Sequence, residues 1–256
     1  MTLICSAPIA LLGSCQCTEP MRVSSAQPDA GDTPSFVHEP TDSYTTYTLH
    51  GFDVLVSDAA MKHPDTTTPA IQLLDEKLAQ VIELTPEHTH HALRKTKFWI
   101  EHNNPGFPCA CYHPSADWLG ENGYNTDKER GIEISNTTHF VRWTHQAQPF
   151  MVLHELAHAF HNEVHGFANQ QIRSCFEKAQ KLGTYEAVEH VSGKTQRHYA
   201  LNNDHEYFAE LTESYFGTND FEPFTIETLK AFDPDGYEMI EQMWGINKHT
   251  ETTKQP

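Results

Sequence analysis

Residues 150–160 read FMVLHELAHAF, an apolar run interrupted by His154, Glu155 and His158. In an α-helix, residues four positions apart lie on the same face, one turn above the other. Pro149 suits the first turn of such a helix. Apolar side chains all round a helix are typical of a helix buried inside a domain. The stretch therefore predicts a buried helix that carries two histidines side by side.

This spacing of histidines indicates a metal site. Zinc accepts imidazole nitrogens at about 2.0–2.1 Å and, in catalytic sites, keeps one position for water. Two histidines with a glutamate after the first form the zinc-hydrolase motif, in which the glutamate is the general base. His154 and His158 are thus the predicted ligands of one zinc ion, and Glu155 is the predicted base. The alternative is a buried helix with two ordinary hydrogen-bonded histidines, in a chain that contains 18.

A zinc site of this kind needs a third protein ligand. The extended motif with a third histidine requires a glycine at position 161 and a histidine at position 164, but the chain has His161 and Val164. The third ligand is therefore expected on a later helix. Residues 202–217 predict one, because Asn and Asp at the start supply capping groups and Gly at the end supplies a stop.

Three glutamates of this second helix form an acidic stripe, at Glu206, Glu210 and Glu213. Residues at these spacings lie on one helical face. Glu206 is the best candidate for the third ligand. Glu210, one turn further on, is expected to orient a ligand histidine without contacting the metal. Glu213 is expected to belong to a solvated helix face.

Together these residues resemble a known arrangement. The pair His154–His158 followed by Glu-Tyr-Phe-Ala-Glu at 206–210 is similar to the gluzincin site of the anthrax lethal factor-like zinc metallopeptidases. The resemblance covers residues 150–217 and implies a zincin-like fold, with Glu206 as the third ligand and Tyr199 facing the reaction centre. The chain lacks recognisable large toxin domains, so the substrates of the toxins are not implied.

The chemistry implied by the resemblance is hydrolysis of an amide bond by an activated water. Glu155 would accept the water's proton and return it to the leaving amine, and Tyr199 would donate a hydrogen bond to the developing oxyanion. Tyr199 could instead be an ordinary packed aromatic, with His198 as the competing donor. Two other functions fit the same residues: a non-catalytic module that binds zinc and a peptide, and a zinc hydrolase acting on a cell-wall amide. Glu155 argues against the first, because a binding site needs ligands but no base.

Length and charge restrict the partners. The chain has 256 residues and a net charge of −18. This charge repels nucleic-acid phosphates and anionic membrane surfaces, so no nucleic-acid partner is expected. The expected partner is a peptide or protein substrate, and the domain is expected to act as a monomer.

The first residues have features of an export signal. Residues 3–12 are mostly apolar and too few to span a bilayer. Leu-Gly-Ser-Cys at 12–15 resembles a bacterial lipoprotein processing site, in which Cys15 carries the lipid. The chain is expected to be exported, as an envelope lipoprotein held to the membrane only by this anchor or as an extracellular protein. Proline, serine and threonine then indicate a flexible linker. The predicted leader, linker and metallopeptidase domain span residues 1–15, 16–43 and 44–256.

Four cysteines lie beyond the predicted leader, at Cys17, Cys109, Cys111 and Cys175. A disulfide between Cys175 and Cys109 or Cys111 is expected in an oxidising compartment. A metal site formed by Cys109, Cys111 and His113 is the alternative. The connectivity cannot be read from the sequence.

The remaining pattern predicts an α+β domain. Residues 44–57 are rich in β-branched and aromatic residues and indicate two short strands or one bent strand. Residues 69–84 have apolar residues at helical spacing. Residues 131–135 predict the edge strand against which zincins bind an extended substrate. Two more helices are predicted at 224–231 and 233–244. The expected fold is a small mixed sheet over the HExxH helix, followed by a mostly helical C-terminal half.

Overall fold

The computed structural model describes residues 38–104 and 109–246. The predicted leader, Cys17 and most of the predicted linker lie outside the described residues. The last residues of that linker are held to the domain. The Glu39 carboxylate accepts hydrogen bonds, both of 2.9 Å, from two backbone N–H groups at the start of the helix Asp58–Met61.

Five short strands form one mixed sheet: β1 (Thr45–Leu49), β2 (Phe52–Val56), β3 (Phe98–Ile100), β4 (Ala110–Tyr112) and β5 (Ile132–Ile134). Their order is β1-β2-β3-β5-β4. The three inner strands are parallel, while β1 and β4 run antiparallel to their neighbours at the two edges. The β1–β2 hairpin turns at His50 and Gly51, both with positive φ (50° and 87°), as a two-residue turn requires. The two strands predicted within residues 44–57 are confirmed.

The edge strand on the side of the metal helix is β4 rather than the strand predicted at 131–135. That segment forms β5, which pairs with β3 on one side and with β4 on the other. The predicted edge position was wrong. All three residues of β4 are buried, and so are all three residues of β5. The composition of these short strands therefore does not show which one lies at the edge of the sheet.

The described residues form ten α-helices, α1 to α10 in chain order, at Asp58–Met61, Pro64–Leu84, His90–Leu93, Ala116–Glu121, Thr137–Gln146, Met151–Phe160, Gln170–Leu182, Asp204–Phe216, Ile226–Phe232 and Pro234–Met243. A small hairpin of β6 (Val188–Glu189) and β7 (Thr195–Gln196) lies between α7 and α8. None of these helices is both long enough and apolar enough to cross a bilayer. The fold is mixed α+β with a small mixed sheet, as predicted.

The helix predicted within residues 150–160 is α6, and all ten of its residues are buried. It packs against α2, α8 and β4. One face of the sheet contributes Val54, Ile100 and Ile132 to the core that contains α6. The prediction of a buried helix is confirmed, and this helix lies directly against the edge strand.

A close contact fixes the end of α8 on the start of α6. Gly217 follows the last residue of α8, and a Cβ at this position would lie 2.3 Å from ring carbons of Phe150, the residue before α6. Gly217→Ala is therefore expected to lower the free energy of unfolding by about 1–3 kcal/mol, the usual cost of overpacking. The measurement is the midpoint of thermal or denaturant unfolding.

Gly120→Ala is the matched control for this prediction. Gly120 is exposed within α4, and the nearest atom to an added Cβ is Cγ2 of Thr126 at 3.4 Å. Alanine there is expected to leave stability unchanged or raise it by about 0.4–1 kcal/mol. Equal unfolding midpoints for the two variants would show that the contact between Gly217 and Phe150 does not hold the two helices together.

Candidate metal centre

Three predicted ligands from two helices converge inside the protein. The Nε2 atoms of His154 and His158 lie 3.1 Å apart. Oε2 of Glu206 lies 3.1 Å from the first of these nitrogens and 3.3 Å from the second. Bonds of about 2.0–2.1 Å at tetrahedral angles separate two zinc ligands by about 3.3 Å. The three atoms thus have the spacing of a zinc coordination site, and all three residues are buried.

Local sequence explains how the third ligand reaches this position. Glu206 lies 52 residues after His154, in the first turn of α8. The Asn203 side chain accepts hydrogen bonds of 2.9 Å from the backbone N–H groups of His205 and Glu206. This cap fixes the start of α8, as the Asn and Asp residues predicted. Because α6 and α8 pack directly against each other, the first turn of α8 brings its glutamate to the two histidines.

The charges of the ligands depend on one another. Burial favours the neutral form of His154, but its contacts with Glu206 and Glu213 outweigh burial and raise the pKa of His154 well above its usual value. Burial also opposes ionisation of Glu206, but His158 and His154 outweigh it and hold the pKa of Glu206 below its usual range. A cation at this site would displace a proton from histidine, so metal binding is expected to release protons.

The second ring nitrogen of His154 faces further along α8. Nδ1 lies 2.7 Å from Oε1 of Glu213 and 3.8 Å from Oε1 of Glu210. Glu213 is only 5% exposed, so the prediction that it belongs to a solvated face was wrong. Glu210 lies within ion-pair distance of the same nitrogen but too far away for a hydrogen bond, so its predicted role in orienting a ligand histidine stays a prediction.

His154, Glu210 and Glu213 form a second group of potential metal ligands, on the Nδ1 side of the same ring. The 2.7 Å between Nδ1 and Glu213 is a hydrogen-bond length. Two ligands of one tetrahedral zinc ion would be separated by about 3.3 Å. The Nε2 side, where two imidazoles and one carboxylate have the longer spacing, is therefore the better candidate for a zinc position.

Glu155 contacts the edge strand of the sheet. The backbone N–H of Tyr112, in β4, donates a hydrogen bond of 2.8 Å to Oε2 of Glu155. Glu155 is buried and is not among the ligand atoms that converge. Glu155 therefore follows a candidate ligand directly in sequence but lies outside the cluster of ligand atoms. Sequence reasoning missed this contact, since a backbone N–H is present at nearly every residue and leaves no signal.

Tyr199 lies in a 3₁₀ turn, Tyr199–Leu201, that leads into α8. Its side chain is largely buried and packs with Val188 and Phe221. Tyr199 thus lies shortly before α8, the helix that carries Glu206, and its side chain is part of an apolar cluster. Its action at the reaction centre stays a prediction.

The neighbouring His198 is unsuited to contact a substrate. Its side chain is completely buried, and its ring stacks on Phe221 with 4.7 Å between the ring centroids. Its Nδ1 accepts a hydrogen bond from the backbone N–H of Ala200. Burial, assisted by His190, lowers the pKa of His198 to about 3. The burial and contacts of His198 therefore argue against it as the donor to an oxyanion.

The described cysteines form neither of the predicted sites. Among the described residues, no disulfide joins Cys175 to Cys109 or Cys111, so the expected pairing is not formed. Nε2 of His113 lies 3.1 Å from the buried carboxylate of Glu133. Among residues 38–104 and 109–246, no group of potential metal ligands includes these cysteines.

Comparisons with known proteins give no match: no protein-family model fits the chain, and neither a curated protein nor a solved structure matches it significantly. The basis for a function is therefore the chemistry of the site itself, together with the resemblance of its motifs.

Proposed function

We propose that this protein is an exported, zinc-dependent peptidase of the gluzincin type, with a zincin-like arrangement of sheet and metal helix. The observation that carries this proposal is the convergence of His154, His158 and Glu206, with a buried carboxylate, Glu155, directly after the first ligand. Two imidazoles, one carboxylate and an adjacent base form the residue set of a hydrolytic zinc site.

The residues present fit one zinc ion. His154, His158 and Glu206 would hold it, because their Nε2 and Oε2 atoms lie within 3.3 Å of one another in a buried site. When bound, zinc supplies a water of lowered pKa and a positive charge beside the scissile carbonyl. The remaining steps belong to residues of this chain.

Glu155 moves the proton in this proposal. It accepts a proton from the attacking water and delivers it to the leaving amine. The hydrogen bond from the backbone N–H of Tyr112 engages Oε2 and fixes the carboxylate, so Oε1 is the oxygen assigned to proton transfer. A base held by a strand cannot rotate freely, and this preorganisation supports catalysis.

The substrate in this proposal is a peptide or protein, the class that the residue set of the site indicates. The net charge of −18 favours cationic peptides over acidic ones.

A digest of an unbiased peptide library tests this function. The zinc-loaded protein is expected to cleave internal peptide bonds, and a sample treated with a chelator is expected to cleave none. Readdition of zinc should restore the cleavage. If the zinc-loaded protein cuts no peptide but hydrolyses amide bonds in cell-wall material, its activity would be that of a cell-wall hydrolase and not of a peptidase.

Tyr199→Phe is expected to lower kcat with little change in KM, because the lost hydrogen bond forms mainly in the transition state. An oxyanion donor that acts without a cation contributes a factor of about 10²–10³ to kcat. A loss of about tenfold is expected here, because the zinc ion would also stabilise the negative charge on the oxyanion. Steady-state kinetics on a cleaved library peptide is the measurement. Tyr47→Phe, on the exposed strand β1, is the control with the same chemical change. Full activity of Tyr199→Phe would leave this tyrosine with a packing role only.

A further inference from the structure

We propose that Glu213 is a positioning residue of the metal centre, whose carboxylate accepts the Nδ1–H of His154 and holds Nε2 towards the metal. This inference rests on the proposed zinc site. It assigns a function to a residue whose place in the acidic stripe suggested only a solvated surface.

The imidazole of His154 lies between two carboxylates of one helix. Its Nε2 is 3.1 Å from Oε2 of Glu206, and its Nδ1 is 2.7 Å from Oε1 of Glu213. Residues seven positions apart lie on one face of an α-helix, about 10.5 Å apart along its axis. The ring therefore lies between the glutamates of the first and third turns of α8, with one carboxylate at each nitrogen.

Glu210 lies between these two glutamates but is engaged elsewhere. The Asn219 side chain donates hydrogen bonds to its carboxylate (2.7 Å) and to its backbone carbonyl (2.9 Å). Asn219 begins the segment that pairs with β6, where the backbone N–H of Glu222 donates to the carbonyl of Glu189. Glu210 thus fastens this segment to α8, and its carboxylate stays 3.8 Å from Nδ1 of His154.

The chemistry of a histidine ligand explains what Glu213 would do. Only the tautomer that carries its proton on Nδ1 presents the Nε2 lone pair to a metal. A carboxylate hydrogen-bonded to Nδ1–H selects this tautomer, fixes the orientation of the ring and raises the basicity of the ligand. Because Glu213 and His154 are both buried, this hydrogen bond forms in a low-dielectric environment, which strengthens it.

A matched pair of substitutions in the full chain tests this assignment. Glu213→Gln and Glu210→Gln each remove one buried carboxylate and keep the size of the side chain. Competition with a chromophoric chelator measures zinc affinity. Glu213→Gln is expected to lower the affinity by about tenfold or more, within the range of about 10–100-fold for residues that support a ligand. Glu210→Gln is expected to lower it less, because Glu210 makes no hydrogen bond with His154 and glutamine can still accept the Asn219 hydrogen bond.

The cobalt(II)-substituted protein gives a readout that a change in stability alone would not alter. The paramagnetically shifted Nδ1–H signal of His154 should exchange slowly with solvent in the wild type and in Glu210→Gln. In Glu213→Gln it should exchange fast. Circular dichroism of the zinc-free variants verifies that both are folded.

Equal zinc affinities for the two glutamine variants, or a larger loss in Glu210→Gln, would overturn the assignment of Glu213. Zinc affinity is measured without turnover. The role of Glu213 and the proposed peptidase activity can therefore be refuted independently. A protein that binds zinc with the expected order of affinities but cleaves no peptide would refute the peptidase and retain Glu213 as the residue that positions His154.

Discussion

Glu155→Gln is expected to retain one zinc ion per chain while peptide hydrolysis falls by a factor of about 10²–10⁴, the contribution of a positioned general base. Glutamine can keep the hydrogen bond from the backbone N–H of Tyr112, so the fold around the side chain should persist. It cannot accept a proton from water at neutral pH. Zinc content by mass spectrometry or atomic absorption, and cleavage rate on a library peptide, are the two measurements.

Glu163→Gln is the matched control for this prediction. Glu163 lies in the turn that follows α6, and its carboxylate forms an ion pair with exposed Arg130. Loss of that pair is expected to change activity little, since exposed ion pairs contribute about 0–1 kcal/mol. Loss of zinc from Glu155→Gln, or turnover near that of the wild type, would exclude Glu155 as the base.

Glu206→Ala is expected to lower zinc affinity by more than about 100-fold, beyond the range for residues that only support a ligand. The substitution leaves two buried imidazoles without the carboxylate that lies 3.1 and 3.3 Å from their Nε2 atoms. Two protein ligands are fewer than catalytic zinc sites have. Chelator competition gives the affinity, and hydrolysis at a fixed zinc concentration should fall with it.

Glu210→Ala is the comparison for this prediction, since Glu210 is one turn away and equally enclosed. Its expected effect on zinc affinity is smaller than that of Glu206→Ala, because the Glu210 carboxylate is hydrogen-bonded to Asn219 and lies 3.8 Å from the far nitrogen of His154, away from the Nε2 atoms. If Glu210→Ala lost zinc and Glu206→Ala retained it, the metal would lie on the Nδ1 side of His154. Such a result would refute the ligand set proposed here.

Short-range patterns predicted the helices that form the candidate metal centre. The apolar run around His154 and His158 has the composition of a buried helix, and α6 is buried throughout. Asn203 caps α8 as its residue type predicts, which fixes the start of the helix and places Glu206 beside His154 and His158. These features depend on residues within one or two helical turns, so the sequence displays them directly.

Features that depend on distant parts of the chain were not predictable in this way. An acidic stripe has the same spacing whether water or another helix covers it, so the burial of Glu213 against α6 left no local sign. Strands of three residues are too short to show alternation, and the edge position of β4 follows from the order of the whole sheet. The backbone contact from Tyr112 to Glu155 likewise requires β4 and α6 to be adjacent.

Because His154 and Glu206 are 52 residues apart, the complete ligand set exists only in the folded chain. An unfolded chain offers the two nearby histidines alone, and closing a long flexible loop around an ion has an entropic cost. In the native protein, the packing of α6 on α8 has already closed that loop. A ligand that binds only the native state stabilises it by RT ln(1 + [L]/Kd), about 2.7 kcal/mol at a concentration of one hundred times Kd. On the proposal that zinc occupies this site, zinc starvation would therefore increase the unfolded fraction of this protein and shorten its lifetime in the presence of proteases.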